Sequence, residues 1–304
     1  MPDCTTIDRP GIYEGFPVEA YFGDPCPTPS LNQSLAKLLL ERAPIHAKYA
    51  HPRLAPMVAE EDDAAEKYNA DRAIGNAAHS LILGRGKLVA IGEFPNWMTK
   101  AAKEFKAMAM ADGDEPILRK HYDRAFALAS SVKADLANHQ CCDVFTGPGQ
   151  FEAVIAWEED GLWFRTMIDF LSEDLRRCDD LKTTSLSAAP ESIPNQMDDF
   201  GWPIQAAMWE RGLNVLDPSN AGRRRYRFVC VENEPPFALT VNEISEAELT
   251  IGRRKLDVAV AIWRKCLTSG EWPGYPQTTQ YPSTPGYRLV RWEARELELR
   301  EAGR

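Results

Sequence analysis

The sequence predicts an α/β fold: a helical N-terminal part, a small mixed sheet flanked by helices, and a closing helix. Three observations predict it. Apolar residues recur at helical spacing before residue 145. Three runs between 150 and 184 alternate apolar and polar residues, with turn residues between them. A helical segment that begins with Pro and ends with Gly then separates these runs from two further strands, an order that suits helices covering a sheet.

Residues 1 to about 30 are rich in Pro, Gly and Thr and read as an extended arm. Ser30 to Tyr49 has Leu31, Leu35, Leu38 and Leu39 at helical spacing, and Pro44 is expected to end or bend that helix. Asp62 to Leu83, Asn96 to Ala111 and Pro116 to Asn138 read as three more helices, the last two separated by the turn Asp112-Gly-Asp114. Phe151 to Trp157, Leu162 to Asp169 and Cys178 to Thr184 read as a three-strand meander, with Glu159-Asp-Gly161 turning the first pair. Pro203 to Gly212 is the crossing helix. Tyr226 to Val231 and Phe237 to Val241 are strands separated by Pro235-Pro236, and Glu243 to Thr268 is the closing helix. The expectation is one domain over 1–304: an arm (1–30), a helical part (31–145), a catalytic sheet with helices (150–268) and a Pro- and Tyr-rich tail (269–304).

Composition narrows the function. An apolar fraction of 44% and a charged fraction of 26% are ordinary for a globular chain. No apolar run approaches a membrane span, and Met-Pro-Asp-Cys-Thr-Thr lacks the regions of a signal peptide, so a cytoplasmic protein is expected. The cysteines at 4, 26, 141, 142, 178, 230 and 266 form no CxxC pair and read as reduced thiols. A net charge of −10 argues against coating nucleic acid over the whole surface, but leaves local basic patches free to bind it. Arg223 to Arg227 is the strongest such patch; Arg176-Arg177 and Arg253 to Lys255 are others.

Asp169, Asp180-Leu181-Lys182 and Gln205 carry the most chemistry. Side chains alternate along a strand, so Asp180 and Lys182 point the same way, and Asp169 can meet them if the strands pair. Hard cations such as Mg²⁺ take oxygen ligands and keep several waters, and a lysine beside them can orient or deprotonate one. This spacing therefore suits metal-dependent hydrolysis of a phosphodiester. His79 closes Gly75-Asn-Ala-Ala-His79, whose small residues permit close approach of another backbone or a nucleic-acid strand.

These residues resemble the PD-(D/E)xK nuclease superfamily, with its restriction-endonuclease-like core, and within it the RecE-type branch (exodeoxyribonuclease VIII-like; lambda exonuclease is more distant). The resemblance runs through Arg42-Ala-Pro-Ile-His-Ala-Lys-Tyr49, Gly75 to His79, Arg165 to Asp169, Asp180 to Thr184, Gln205-Ala-Ala, Glu234-Pro-Pro236 and Cys266…Glu271-Trp-Pro-Gly-Tyr275. It implies His79, Asp169, Asp180 and the Leu181 carbonyl as metal ligands, and Lys182 as the group that positions or activates water. Gln205 would orient that lysine or a phosphate oxygen, Glu152 would join through a water, and Ser34 and Arg42 would meet a DNA phosphate. Arg223 and Arg225 are added to these DNA contacts from the basic patch. The resemblance further implies Mg²⁺ (or Mn²⁺), linear duplex ends as substrate, a toroidal homo-oligomer and a single-strand annealing protein as partner. An iron–sulfur cluster of the kind some relatives carry is not expected, because only Cys266 lies near the C-terminus. Endonuclease activity, or a degenerate DNA-binding role, is the alternative. Two departures stand out: Trp209 replaces a tyrosine, and Cys178-Asp179 starts a strand where the family tends to be apolar, which predicts an edge position.

Overall fold

Alternation in the three successive runs builds the centre of the sheet. β4 (Gly149–Glu159), β5 (Leu162–Ser172) and β6 (Arg177–Thr184) form the expected meander. The computed structural model in which they lie describes residues 5–55, 70–85 and 88–302. β7 (Arg225–Glu232) runs parallel to β6, and β8 (Leu239–Glu243) runs antiparallel to β7. β1 (Gly11–Tyr13) closes the other side against β4, so the order is β1-β4-β5-β6-β7-β8. A parallel step needs a crossover. Two helices supply it, α7 (Ile193–Phe200), which was not expected, and α8 (Trp202–Leu216), joined at Gly201, whose φ of 72° favours glycine.

The two faces of the sheet bury different side chains. Cys178, Phe228 and Cys230 pack with α2 (Gln33–Glu41), α8 and α9 (Glu246–Ser269). Leu181, Val229 and Val231 pack on the other side with α4 (Ala70–Leu83) and α6 (Arg119–Asn138). A one-residue slip of β6 would trade Leu181 for Lys182 in that second core. Burying leucine stabilises by roughly 1.5–3 kcal/mol, whereas an unpaired buried ammonium costs several. Register is therefore set by the core, and it also aims Asp180 and Lys182.

Several expectations are corrected. The arm is no arm: it holds β1 and α1 (Val18–Phe22), and Ile7, Phe16, Tyr21 and Cys26 pack on Val154, Ala156 and Trp163. Its Pro and Gly residues read as loop because no periodic run is long enough to show. Pro44 starts a separate helix, α3 (Pro44–Ala50), as it has no N–H to lose at a first turn. The expected helix from Asp62 is described as α4 from Ala70; residues 62–69, like Cys4, lie outside the described residues. β2 (Val89–Gly92) and β3 (Glu115–Leu118) form a small parallel pair around α5 (Lys100–Ala111), unforeseen because each has only four residues. β6, expected at an edge, is central, since Asp179 is neutralised inside. The chain divides into two compact units, Met1–Pro273 and Gly274–Arg304; the second, read as tail, contains α10 (Gly286–Glu301).

Candidate active site

β5 and β6 pair only at Phe170↔Asp179 and Leu171↔Cys178. Beyond those pairs the strands splay, and a side chain fills the gap: Asp169 Oδ2 accepts a hydrogen bond from the Leu181 backbone N–H at 2.8 Å. The splay lets groups from both faces of the sheet approach one place. From the α8 face comes Gln205, whose Nε2 donates to Asp180 Oδ1 at 2.8 Å and whose Oε1 accepts from Lys182 Nζ at 3.0 Å. Lys182 Nζ lies 2.6 Å from Asp180 Oδ2. Apart from that ammonium, Asp180 Oδ2 is buried without a hydrogen-bond donor. The ammonium also sits 5.8 Å from the Phe228 ring centre. Trp209 stacks on the same ring at 5.4 Å and donates its indole N–H to Met167 O at 3.2 Å. It is a core residue and offers nothing to a phosphate.

From the α4 face comes His79, with Nε2 at 3.1 Å from Asp169 Oδ2. One turn earlier, Gly75 lies against β6: a Cβ there would stand 2.7 Å from Thr183 Oγ1. The small residues before His79 thus admit a strand of this same protein. Glu152 stands in register opposite Asp169, bracketed by Phe151↔Phe170 and Ala153↔Ile168, yet its own bridge is missing. Its φ is 52°, a left-handed conformation that a glutamate adopts only when its surroundings impose it. His79, Glu152, Asp169, Leu181 and Thr183 line a cavity of about 570 Å³, together with Val18, Phe22, Arg72, Asn76, Ser80 and Met167. Val18 and Phe22 come from the segment read as an arm. An aromatic residue after a short Val-Glu-Ala-Tyr run was the only sign of them.

Charge is concentrated here. Burial, then the neighbouring Asp169 carboxylate, pushes the Asp180 carboxyl up to about 6 against the pull of Lys182. Burial also raises Glu152, with Asp169 adding to it. Asp169 itself is held low: burial opposes ionisation, but His79, Lys182 and the Leu181 N–H outweigh it. Burial lowers His79, yet Asp169, Glu152 and Asp180 more than reverse this and hold the imidazolium up to about 9.

Other expected contacts stay apart from the cavity. Ser34 and Arg42 are exposed on α2 and at its C-terminus. Arg223 and Arg225 are exposed at the start of β7, and Arg225 holds Glu243 at 2.5 Å. The rest of that basic run is spent internally: Arg224 pairs with Asp217 at 2.9 Å, and Arg227 with Asp179 and Asp143 at 2.7 Å each.

Three carboxylates and the Leu181 carbonyl are oxygen donors suited to a hard divalent cation, with the His79 imidazole beside them, and Asp180 Oδ2 meets no hydrogen-bond donor but the Lys182 ammonium. Among the described residues no three His, Cys, Asp or Glu side chains already stand as a ligating group. His79 contacts Asp169 instead, so binding a cation requires that imidazolium to give up its proton.

Comparison with known proteins gives the family and the fold. The family described as "PDDEXK-like domain of unknown function (DUF3799)" matches residues 56–284. A solved structure from Eubacterium rectale, described as a "Putative exonuclease", superposes with a TM-score of 0.54 at 11% identity. The match covers 84% of this chain and 91% of that one, and it shows a shared fold. No curated protein sequence matches the chain.

Proposed function

Because the chain belongs to the PDDEXK-like family, we propose that it is a Mg²⁺-dependent deoxyribonuclease hydrolysing phosphodiester bonds from linear duplex ends, in the 5′ to 3′ direction. The observation that carries this is the meeting of His79, Glu152 and Asp169 with Asp180, Lys182 and Gln205 where β5 and β6 splay. The RecE-type resemblance of Gly75 to His79, Asp180 to Thr184 and Glu234-Pro-Pro236 supports the choice of substrate end and polarity. It supports as well a ring-shaped oligomer in the cytoplasm that works beside a single-strand annealing protein in recombination.

His79, Asp169, Asp180 and the Leu181 carbonyl would hold the cation, with Glu152 joining through a water. When bound, the cation would neutralise charge on the phosphate and acidify a nearby water. Lys182 holds its ammonium where charge develops as the new P–O bond forms and the old one breaks, and it orients the attacking water. Gln205 fixes that lysine and Asp180 at once, because its oxygen accepts from one while its nitrogen donates to the other. The Phe228 and Trp209 rings keep the lysine side of the site rigid.

Incubation with linear and covalently closed circular duplex, in Mg²⁺ or EDTA, tests this. Linear DNA should be degraded to nucleotides only with Mg²⁺, closed circles should persist, and Lys182→Ala should bind DNA yet cleave it poorly. Digestion of circles at the linear rate, or undiminished cleavage in EDTA, overturns the proposal.

A further inference from the structure

The cavity beside Asp169 has two chemical halves. His79, Glu152 and Asp169 form a charged end, whereas Val18, Phe22 and Met167 are apolar; Val89 and Glu115, paired across β2 and β3, close the far side with a further carboxylate. Arg72, Asn76 and Ser80 follow each other at four-residue intervals along α4 and add a polar edge. Phe22 is 63% exposed although it lines this cavity. Single exposed apolar residues are common, but the backbone on both sides of this one is held tightly.

Tyr21 is buried, and its carbonyl accepts from Arg165 Nε at 3.1 Å. Gly23 N–H closes α1 on Glu19 O at 2.9 Å. Asp24 is buried in the left-handed region at φ 62°. Its carboxylate accepts from Arg165 Nη1 at 2.8 Å, Ser30 Oγ at 2.6 Å and Arg53 Nη1 at 3.3 Å, and His51 Nε2 lies 3.1 Å away. This buried cluster fixes residues 21 and 24. The intervening Phe22 ring is thereby presented to solvent from a rigid base, with Tyr21 edge-on at 5.3 Å. A side chain meant only for the core would not be held out in this way.

We propose that Phe22, with Val18 and Met167 beside it, is a stacking platform for the nucleobase adjoining the bond that is cut; this rests on the nuclease reading above. A nucleotide has the same division as the cavity, a charged phosphate and a flat apolar base. Stacking on an aromatic ring tolerates every base, since each has a π-face. It therefore suits an enzyme that must pass along any sequence. The platform would bring the phosphate to the divalent cation that Asp169 would hold, and it sets how tightly each strand end is held, while the hydrolysis belongs to the carboxylates, their cation and Lys182.

The experiment compares wild type, Phe22→Ala and Phe22→Trp on linear duplex with Mg²⁺, using ends that carry either normal bases or a tetrahydrofuran abasic nucleotide at the cleaved position. Phe22→Ala should raise KM about tenfold, with a smaller fall in the single-turnover rate at saturating DNA, and Phe22→Trp should restore it. The abasic end should cost wild type the same factor and cost Phe22→Ala nothing more. Because the ring is exposed, the melting temperature should not move. Wild-type cleavage with an unchanged KM in Phe22→Ala, or an equal abasic penalty in both proteins, overturns the platform alone. Absence of cleavage by wild type overturns the nuclease reading and the platform together.

Discussion

Asp179 and Asp180 are neighbours on β6, 0% and 3% exposed, and they lead opposite lives on its two faces. Asp179 accepts from Arg227 Nε at 2.7 Å, from Arg227 Nη2 at 2.9 Å and from the Phe145 N–H at 3.0 Å. Each of its oxygens is satisfied, so it holds β7 and the segment before β4 to the sheet. Asp180 has the Gln205 amide, the Lys182 ammonium and another carboxylate nearby, and burial drives its carboxyl up to about 6. Burial alone therefore does not separate a structural acid from a reactive one. What separates them is the company of the carboxylate: a buried guanidinium and a backbone N–H for Asp179, but an amide, a partly exposed ammonium and a rival carboxylate for Asp180.

The largest expected effect breaks this pair apart. Asp180→Asn should reduce single-turnover cleavage on the order of 10³-fold, the scale seen when one essential transition-state contact is lost. It should leave the fold intact, because a neutral amide relieves the crowding with Asp169. Asp179→Ala should do the reverse. It leaves the buried Arg227 guanidinium with only the half-exposed Asp143 as partner, which costs up to roughly 3 kcal/mol of stability, read as a lower urea midpoint. If Asp179→Ala unfolds at the wild-type midpoint, or Asp180→Asn cleaves normally, the division between the two faces is wrong.

The two carboxylates also mark how much the sequence disclosed. The alternation around Asp169 and Asp180 gave the meander, and the period of two put Asp180 and Lys182 on one side, because a strand's facing is a local property. The acidic start of β6 misled, since its neutralisation depends on Arg227, 48 residues away and itself read as surface. Glu152 could be named, but its left-handed backbone, at the one break in the β4–β5 ladder, could not. Phe22 went unseen for a related reason: a five-residue helix has too few turns for a pattern, and Arg165 and Asp24, which hold it, come together only in the folded chain. What stayed hidden depended on partners distant in sequence.

A smaller effect concerns His79, which contacts Asp169 and feels the charge of Asp180. Its folded-state pKa of about 9 exceeds the 6.5 of an unperturbed imidazole. Its pairing with Asp169 thus contributes stability that is complete below pH 6.5 and is lost as pH rises through 9. Asp180 acts in a separate window. A carboxyl raised to about 6 lowers stability as pH climbs from about 4 to 6, and no further above that. In EDTA the melting temperature of wild type should fall between pH 6.5 and 9, and that of His79→Gln should stay level there. Divalent-ion affinity should rise with pH over the same window, because the imidazolium must release a proton to become a ligand. An affinity independent of pH would remove His79 from the ligand set.

The smallest effect repeats the comparison two residues apart on β7. Arg225 and Arg227 both bond to carboxylates, but Arg225 and Glu243 are 50% and 43% exposed, and Arg227 with Asp179 is closed to water. An exposed pair gains little over its hydration, so Arg225→Ala should cost at most about 1 kcal/mol. Arg227→Ala should cost several times more, because it leaves Asp179 without its main donor. If Arg225 also meets a DNA phosphate, its removal should lower affinity alike for all sequences and reduce the salt dependence by about one counterion. A change in stability without a change in the salt slope would make Arg225 a strand-pairing residue only, and would leave Arg223 as the exposed arginine of that run to carry the DNA contact.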